Sequence, residues 1–252
     1  MSEYDGQITV RQLYYRLVAA QVIENTQKSY RRLDAHLVKW RKTGLLPMDA
    51  FCDLTREPVA PNLWADLSDF FDTVRRAYRR DPWQSQSCRP EVWCEKEALQ
   101  TVFSPVCREY GVVLQMCRGF ASVSCLSEAA ERTKHVLYFG DFDPSGESIG
   151  ESIARELPNT HRAKAGLVRI ALTSEQVEQY RLPPAIPKPT DSRTAAFVAR
   201  HGERAVELDA LPPNVLQELI RDAIEACITD PARWDEETGR EAEEREKLRG
   251  MV

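Results

Sequence analysis

The sequence predicts an α/β fold, in which an N-terminal helical domain precedes a mostly parallel sheet flanked by helices. Two patterns lead to this prediction. Within residues 1–85 apolar side chains recur at helical spacing, whereas from residue 86 onward short apolar runs alternate with amphipathic segments. Alternating strands and helices form parallel sheets that helices cover on both faces. We therefore expect two domains, residues 1–85 and 86–252.

The N-terminal domain is predicted to contain two short helices joined by a tight turn. The first follows Thr9, a residue type that caps helices, and its apolar positions recur at i, i+3, i+4 and i+7. The second ends near Gly44, and its inward side chains are predicted to be Tyr30, Leu33, Leu37 and Trp40. This pair indicates a helix-turn-helix or winged-helix unit. A third helix is predicted within residues 63–80, and residues 81–90, "DPWQSQSCRP", have the composition of a linker.

The second domain alternates strand and helix along its length. Four apolar segments are predicted to be strands: "EVWCE", "VVLQMC", "HVLYFGDFD" and "LVRIAL". Proline-rich residues 182–193 include Lys188, Asp191 and Arg193, which form either a phosphate-contacting loop or a polar surface turn. The C-terminal extension is predicted to be helical, and its charged last helix, Trp234 to Arg249, is expected to face solvent or a partner.

Charge is distributed unevenly along the chain. The net charge is −5, yet residues 1–90 carry 14 Lys and Arg against 11 Asp and Glu. The second predicted helix, "QKSYRRLDAHLVKWRK", holds six of these cations and a single acid, Asp34. A basic helix on an otherwise acidic protein is typical of a nucleic-acid-binding segment, and the alternative is a solvated helix face.

Composition argues against membrane and zinc-binding classes. No apolar run is long enough to span a bilayer, and the N-terminus has no apolar signal-peptide core. The seven cysteines are scattered, without a CxxC pair or zinc-site spacing. We therefore expect a cytoplasmic protein with reduced thiols and no membrane partner.

Acidic side chains follow two of the predicted strands. Glu95 ends "VWCE", and Asp141 and Asp143 follow the strand of "LYFGDFDPSG". Carboxyl ends of parallel strands meet at one edge of a sheet, where three converging carboxylates need a cation. Oxygen ligands favour Mg²⁺, with Mn²⁺ as a substitute. Glu97 and Glu207 are candidates for supporting positions around this site, although Glu97 is equally explained as an acid in the first turn of a helix.

Two alternatives remain for the "DFDPSG" segment. It has the composition of a plain Asx or Pro-Gly turn. Paired aspartates also occur in phosphatases of the haloacid dehalogenase type, but those need a downstream Thr and Lys that have no clear counterpart here. The coincidence with Glu95 favours the metal site.

The adjacent tyrosines of "RQLYYRL" are predicted to differ in environment. At about 100° per residue, Tyr14 lies on the apolar stripe of the first helix and Tyr15 lies on its shoulder. Arg11 precedes Tyr15 by one turn on the same side. A cation beside a phenol stabilises the phenolate and can hold a phosphate oxygen, which is the help that a nucleophilic tyrosine needs. The alternative is that Tyr15 is a half-exposed packing residue.

These motifs together resemble a known family. "VWCEKEAL" followed by "YFGDFDPSG" resembles the Toprim domain of topoisomerases, primases and related nucleases. With "RQLYY" before it, and "LTSEQVEQYRLP" and "AVELDAL" after it, the chain is similar over residues 9–211 to the A subunit of topoisomerase VI and to the meiotic double-strand-break transesterases. The resemblance implies a winged-helix domain that carries the tyrosine and a Toprim domain that binds metal, in a minimal version of that subunit.

The resemblance also implies roles for single residues. Glu95 matches the Toprim glutamate, Asp141 and Asp143 match the paired aspartates, and Tyr15 matches the nucleophile, with Arg11 as the arginine before it. The expected reaction is Mg²⁺-dependent, topoisomerase-like cleavage of double-stranded DNA through a 5′-phosphotyrosyl link. A homodimer and a separate ATPase subunit are the implied partners. The cations expected to anchor the DNA backbone are Lys28, Arg31 and Arg32.

Two other functions remain open at this point. One is a hydrolytic Toprim nuclease, in which water instead of Tyr15 attacks the phosphate. The other is a non-catalytic DNA-binding regulatory protein.

Overall fold

A computed structural model describes residues 8–48, 50–51, 61–117, 119–157, 166–185 and 193–249. The strands are β1 (Pro90–Cys94), β2 (Val113–Met116), β3 (His135–Phe139) and β4 (Gly166–Ala171). The helices are α1 (Val10–Ala19), α2 (Gln27–Lys42), α3 (Leu67–Ala77), α4 (Gln100–Glu109), α5 (Val123–Arg132), α6 (Pro144–Glu156), α7 (Ser174–Gln179), α8 (Thr194–His201), α9 (Pro213–Glu225) and α10 (Pro231–Arg249).

The four strands form one sheet in the order β2-β1-β3-β4, and all neighbouring pairs are parallel. Side chains alternate between its two faces, as in any strand. Val92 and Leu137 pack in a core with α4 and α9, whereas Trp93 and Tyr138 pack in a second core with α5 and α6. This arrangement confirms the predicted α/β class with a parallel sheet flanked by helices.

The N-terminal helices begin at threonine caps. The side chain of Thr9 accepts a hydrogen bond from the Gln12 backbone amide. In return, the Gln12 side chain accepts a hydrogen bond from the Thr9 backbone amide. Tyr14 is buried as predicted, and it belongs to the same core as the sheet. The inward orientation predicted for Trp40 is wrong, since its side chain is 39% exposed, whereas Leu37 is buried.

A wing is not established in the N-terminal domain. Within the described part of residues 1–85, the β contact is a single bridge between Ile8 and Phe51. The winged-helix assignment and the boundary at residue 85 therefore stay predictions. Residues 52–60, between the second and third predicted helices, lie outside the described residues, as do Lys188 and Asp191 of the proline-rich segment.

The segment predicted to be an open linker is packed. Asp81 caps a short 3₁₀ helix (Pro82–Ser85) that buries Trp83. The Trp83 indole donates to the Tyr110 carbonyl oxygen at 2.6 Å and meets the Trp234 ring edge-on at 4.9 Å between centroids. The segment is packed because α10 folds back and supplies an apolar partner that local composition does not reveal, and its role as a linker between two domains stays a prediction.

Helix α10 continues along this segment through ion pairs. Arg80 contacts Glu237 at 2.7 Å and Glu244 at 2.8 Å, and Arg79 contacts Glu241 at 3.3 Å. One face of the charged helix is thus engaged within its own chain. No helix in the described residues is both long and apolar enough to cross a membrane.

Candidate metal and tyrosine site

The acids predicted to converge leave the sheet from adjacent strands. Cys94 and Phe139, the last residues of β1 and β3, are paired in register. The Glu95 amide donates to the Phe139 carbonyl oxygen at 2.9 Å, which continues the pairing by one residue. Glu95 and the segment from Gly140 to Asp143 therefore begin at the same edge of the sheet, as expected for ligand sites in parallel sheets.

The Glu95 carboxylate points into the aspartate segment. Its Oε2 accepts hydrogen bonds from the Asp141 amide at 3.2 Å and from the Tyr138 hydroxyl at 3.3 Å. Burial, followed by repulsion from Asp141 and Asp143, raises the pKa of Glu95 to about 7. Carboxylates that raise one another's pKa form a site whose charge a cation would stabilise.

The two aspartates differ in their partners. Asp143 caps α6, because its Oδ1 accepts from the Gly146 amide at 2.6 Å, and burial and Asp141 raise its pKa. Asp141 Oδ1 accepts from the Leu208 amide at 2.7 Å and lies 3.5 Å from Lys96 Nζ. The turn alternative is thus part of the structure, since Asp143 does stabilise the start of a helix.

Arg169 of β4 holds the backbone of the aspartate segment in place through hydrogen bonds. Its guanidinium donates to four carbonyl oxygens: Gly140 at 3.2 Å, Asp141 at 2.5 Å, Gly146 at 3.2 Å and Leu172 at 2.9 Å. Sequence reasoning missed Arg169, although a cation within the apolar run "LVRIAL" was a signal that it has a buried task.

Gly146 allows the tight approach of this segment to Glu95. A Cβ atom at Gly146 would overlap the Asp141 carbonyl oxygen and would lie 3.0 Å from Glu95 Oε2. A side chain at this position would therefore push apart the two segments that carry the acids.

The acids match Mg²⁺ in donor type but are not gathered as a coordination shell. Oxygen donors from carboxylates suit this ion, and Glu95 lies against Asp141. Within the described residues, however, no group of three His, Cys, Asp or Glu side chains has metal-site geometry. Side-chain rotation would be needed for all three to bind one ion. Glu97 is the first residue of a short 3₁₀ helix (Glu97–Leu99). It therefore has the position that its alternative explanation, an acid in the first turn of a helix, requires.

A second group of charges connects the two halves of the chain. Lys96 Nζ donates to Glu207 at 2.7 Å and to Asp209 at 2.8 Å. Arg11 of α1 donates to the same two carboxylates, through Nη2 to Glu207 and through Nε to Asp209 at 3.0 Å. The Asp209 side chain is fully buried, so both cations are needed to compensate it. Lys96 and Asp209 were not identified from the sequence.

Tyr15 lies inside this group, which corrects its predicted position on a half-exposed shoulder. The side chain is 6% exposed, its ring meets that of Tyr14 at 5.2 Å, and the Arg11 guanidinium lies 5.7 Å from its centroid. Its hydroxyl lies near the Glu207 carboxylate. Burial, Asp209 and Glu207 raise the pKa of Tyr15 well above its ordinary value. The predicted stabilisation of the phenolate by Arg11 is outweighed, because the two carboxylates already neutralise this arginine.

Tyr15 and the aspartate segment therefore share one polar network. It runs from the Tyr15 hydroxyl to Glu207, from Glu207 to Lys96, and from Lys96 to Asp141. Although burial opposes ionisation of Glu207, Lys96 and Arg11 hold its pKa at about 2. Glu207 thus connects to the aspartate segment through Lys96, and its supporting role stays a prediction.

The raised pKa of Glu95 predicts how stability depends on pH without metal. Between its ordinary pKa of 4.5 and about 7 the folded protein holds a proton that the unfolded chain releases, so the free energy of unfolding should fall as pH rises through this range. Urea unfolding in EDTA at pH 5, 6, 7 and 8 measures the slope. Glu95→Gln should flatten it, and equal slopes in the two proteins would contradict the assignment.

The predicted DNA-binding residues lie on one face of α2. Five cations, spaced so that they share an arc of about 100°, form what we call the cationic stripe: Lys28, Arg31, Arg32, Lys39 and Lys42. All five are exposed, and none makes an ion pair with another described residue. Leu37 is buried on the opposite face. The stripe is about 21 Å long at about 1.5 Å per residue.

The structure thus brings together most of the predicted site residues and leaves the others apart. Glu95, Asp141 and Asp143 adjoin one another, and the network extends from Asp141 to Tyr15 and Arg11. The cationic stripe is a separate surface of α2. Neither a protein-family model nor a curated protein matches the sequence.

Proposed function

We propose that this protein cleaves DNA in a Mg²⁺-dependent reaction with Tyr15 as the nucleophile, in the manner of the topoisomerase VI A subunit that its motifs resemble. The observation that carries the proposal is the network from Tyr15 through Glu207 and Lys96 to Asp141. It supports the proposal because it links the candidate nucleophile to the candidate metal ligand Asp141, although these two residues are more than a hundred positions apart in sequence.

Glu95, Asp141 and Asp143 would hold the metal at this edge of the sheet. A bound Mg²⁺, or Mn²⁺ in its place, would neutralise charge that develops on the scissile phosphate. The proximity of Glu95 to both aspartates supports this role, because burial, followed by repulsion from these aspartates, raises the pKa of Glu95.

Tyr15 would attack the phosphorus through its phenolic oxygen. A bond forms between this oxygen and phosphorus, and the bond from phosphorus to the 3′ oxygen breaks. The phenolic proton passes to the nearby Glu207 carboxylate, and the departing 3′ oxygen takes up a proton from water to become a hydroxyl. The product is a 5′-phosphotyrosyl link. Because Glu207 is a weak base while paired with Lys96 and Arg11, DNA binding has to draw Arg11 away as a phosphate clamp.

The cationic stripe would hold the DNA backbone. Exposed cations without an ion-pair partner among the described residues lose little on binding phosphate, and a stripe of about 21 Å spans several phosphates. A winged-helix form of the N-terminal domain, a homodimer that cuts both strands and a separate ATPase subunit belong to the proposal through the family resemblance.

The burial of Tyr15 favours a second candidate function. A covered phenol with a raised pKa is a poor nucleophile, and its ring contact with Tyr14 is compatible with a packing role. The protein would then be a hydrolytic DNA nuclease of the Toprim type, in which water attacks the phosphate and no covalent protein–DNA link forms.

Incubation with supercoiled plasmid tests these functions. The wild-type protein is incubated with Mg²⁺ or with EDTA, denatured with detergent, and analysed with and without protease digestion. DNA breaks that migrate freely only after digestion support Tyr15 chemistry. Breaks that need no digestion support hydrolysis. Binding without Mg²⁺-dependent breaks would leave the non-catalytic DNA-binding function and contradict both enzyme functions.

A further inference from the structure

The C-terminal parts of α3 and α10 form a cleft with a volume of about 320 Å³. Every side chain that lines it is charged, and four of the five are arginines: Asp72, Arg75, Arg76, Arg245 and Arg249. We call it the arginine cleft. It lies on different helices from the cationic stripe and from the acids at the sheet edge.

Residues 72–80 and helix α10 carry opposite charges in one half of their contact and like charges in the other half. Along the stretch beside Pro82–Ser85, arginines of one segment face glutamates of α10, as in the pair of Arg80 with Glu237 and Glu244. In the other half, Arg75 and Arg76 line the cleft together with Arg245 and Arg249. Like charges that are brought together repel one another, so this half of the contact lacks the stabilisation that the first half has.

The acids near the cleft pair with arginines of their own helix. Arg75 contacts Asp72 at 2.7 Å and Arg249 contacts Glu246 at 2.9 Å, both at a spacing of i, i+3. Arg245 lies 3.7 Å from Glu241, one turn away. These contacts use only part of the donor capacity of each guanidinium. In particular, Nη2 of Arg75 is buried and has no hydrogen-bond acceptor among the described residues.

We propose that the arginine cleft binds phosphate groups of the DNA backbone, as a second contact beyond the cationic stripe. Guanidinium groups bind phosphate oxygens in a bidentate manner, and an anion between the two helices would turn their repulsion into a bridge. The inference rests on the proposed function for its source of phosphate. The chemistry is shared with small phosphate compounds, which the test treats separately.

The double variant Arg245→Gln/Arg249→Gln tests the cleft. Both side chains are at least partly exposed, so the variant should fold, which circular dichroism checks. Binding of a 20-base-pair duplex is measured by fluorescence anisotropy between 50 and 200 mM NaCl. We expect about a tenfold loss of affinity and a salt dependence whose slope is smaller by about 2, because two phosphate contacts are lost.

The matched control is Arg233→Gln/Arg240→Gln, which removes the same charge from α10 outside the cleft. An equal loss in both double variants, or no loss in either, would overturn the proposal. Pyrophosphate titration by calorimetry forms the second arm. If only pyrophosphate binding is lost in the cleft variant, the site takes small phosphates and the DNA contact is wrong. If wild-type protein binds no duplex, the proposed function fails at that step, and retained pyrophosphate binding in the cleft variant would overturn the cleft as well.

Discussion

Tyr15→Phe is expected to reduce covalent protein–DNA adducts by at least about three orders of magnitude, since removal of a nucleophile leaves only a small residual rate. The phenyl ring keeps the packing of the buried side chain against Tyr14. The variant loses only the hydroxyl group that lies near Glu207. The measurement is the amount of DNA released by protease after incubation with Mg²⁺, compared with wild type.

Tyr14→Phe is the matched control. The Tyr14 hydroxyl lies 3.0 Å from the Asn25 side chain and 3.1 Å from the Thr26 carbonyl oxygen, away from the charged network. Its loss should cost about 1 kcal/mol of stability and leave adduct formation in place. Adducts that persist in Tyr15→Phe, or that vanish equally in Tyr14→Phe, would remove Tyr15 from its proposed role. Unchanged breaks without adducts would point to hydrolysis.

Arg169→Lys is expected to weaken Mg²⁺ binding about 10- to 100-fold, the range found when groups that orient metal ligands are removed. Lysine keeps the charge but cannot reach the four carbonyl oxygens that the guanidinium holds. The Asp141 and Gly146 backbone should then lose its fixed conformation. Isothermal titration of the metal-free protein with Mg²⁺, and with Mn²⁺ as a stronger-binding probe, measures the effect.

Arg169→Gln separates geometry from charge. If Arg169 acts by orienting the segment, both variants should bind Mg²⁺ more weakly. If its main effect is the positive charge, which opposes a nearby cation, the glutamine variant should bind more tightly. Arg155→Gln, an exposed change on α6, is the control and should alter neither affinity nor stability. Tighter binding in Arg169→Gln would show that the orienting role is wrong.

The elements of the sheet were predictable because their signals are local. Apolar runs mark the strands, and the positions of Glu95 and Asp141 just after two of them predict that both acids lie at one sheet edge. Tyr14 was assigned to the core correctly because the helical period alone decides which face of α1 is apolar.

The environment of Tyr15 was not predictable from α1. It depends on Glu207 and Asp209, nearly two hundred residues away, and these cover the side of the helix that periodicity leaves open. The burial of Trp83 was unpredictable for the same reason, since Pro, Ser and Gln around it favour a loop and α10 supplies its aromatic partner Trp234. The partners of Arg169 were unpredictable for a different reason. They are backbone carbonyl oxygens, which every residue type has and which therefore leave no pattern in the sequence.

The one-sided placement of cations on α2 gives the molecule a permanent electric dipole moment. With +3 over residues 1–90 and an overall charge of −5, the positive end of this dipole lies in the part of the chain that carries the stripe. In the electric field of a polyanion such a molecule rotates during its diffusive approach. The α2 face then turns toward the polyanion even though the net charge of the protein is repelled. Mobile ions shorten the range of this torque to roughly 8 Å at physiological ionic strength.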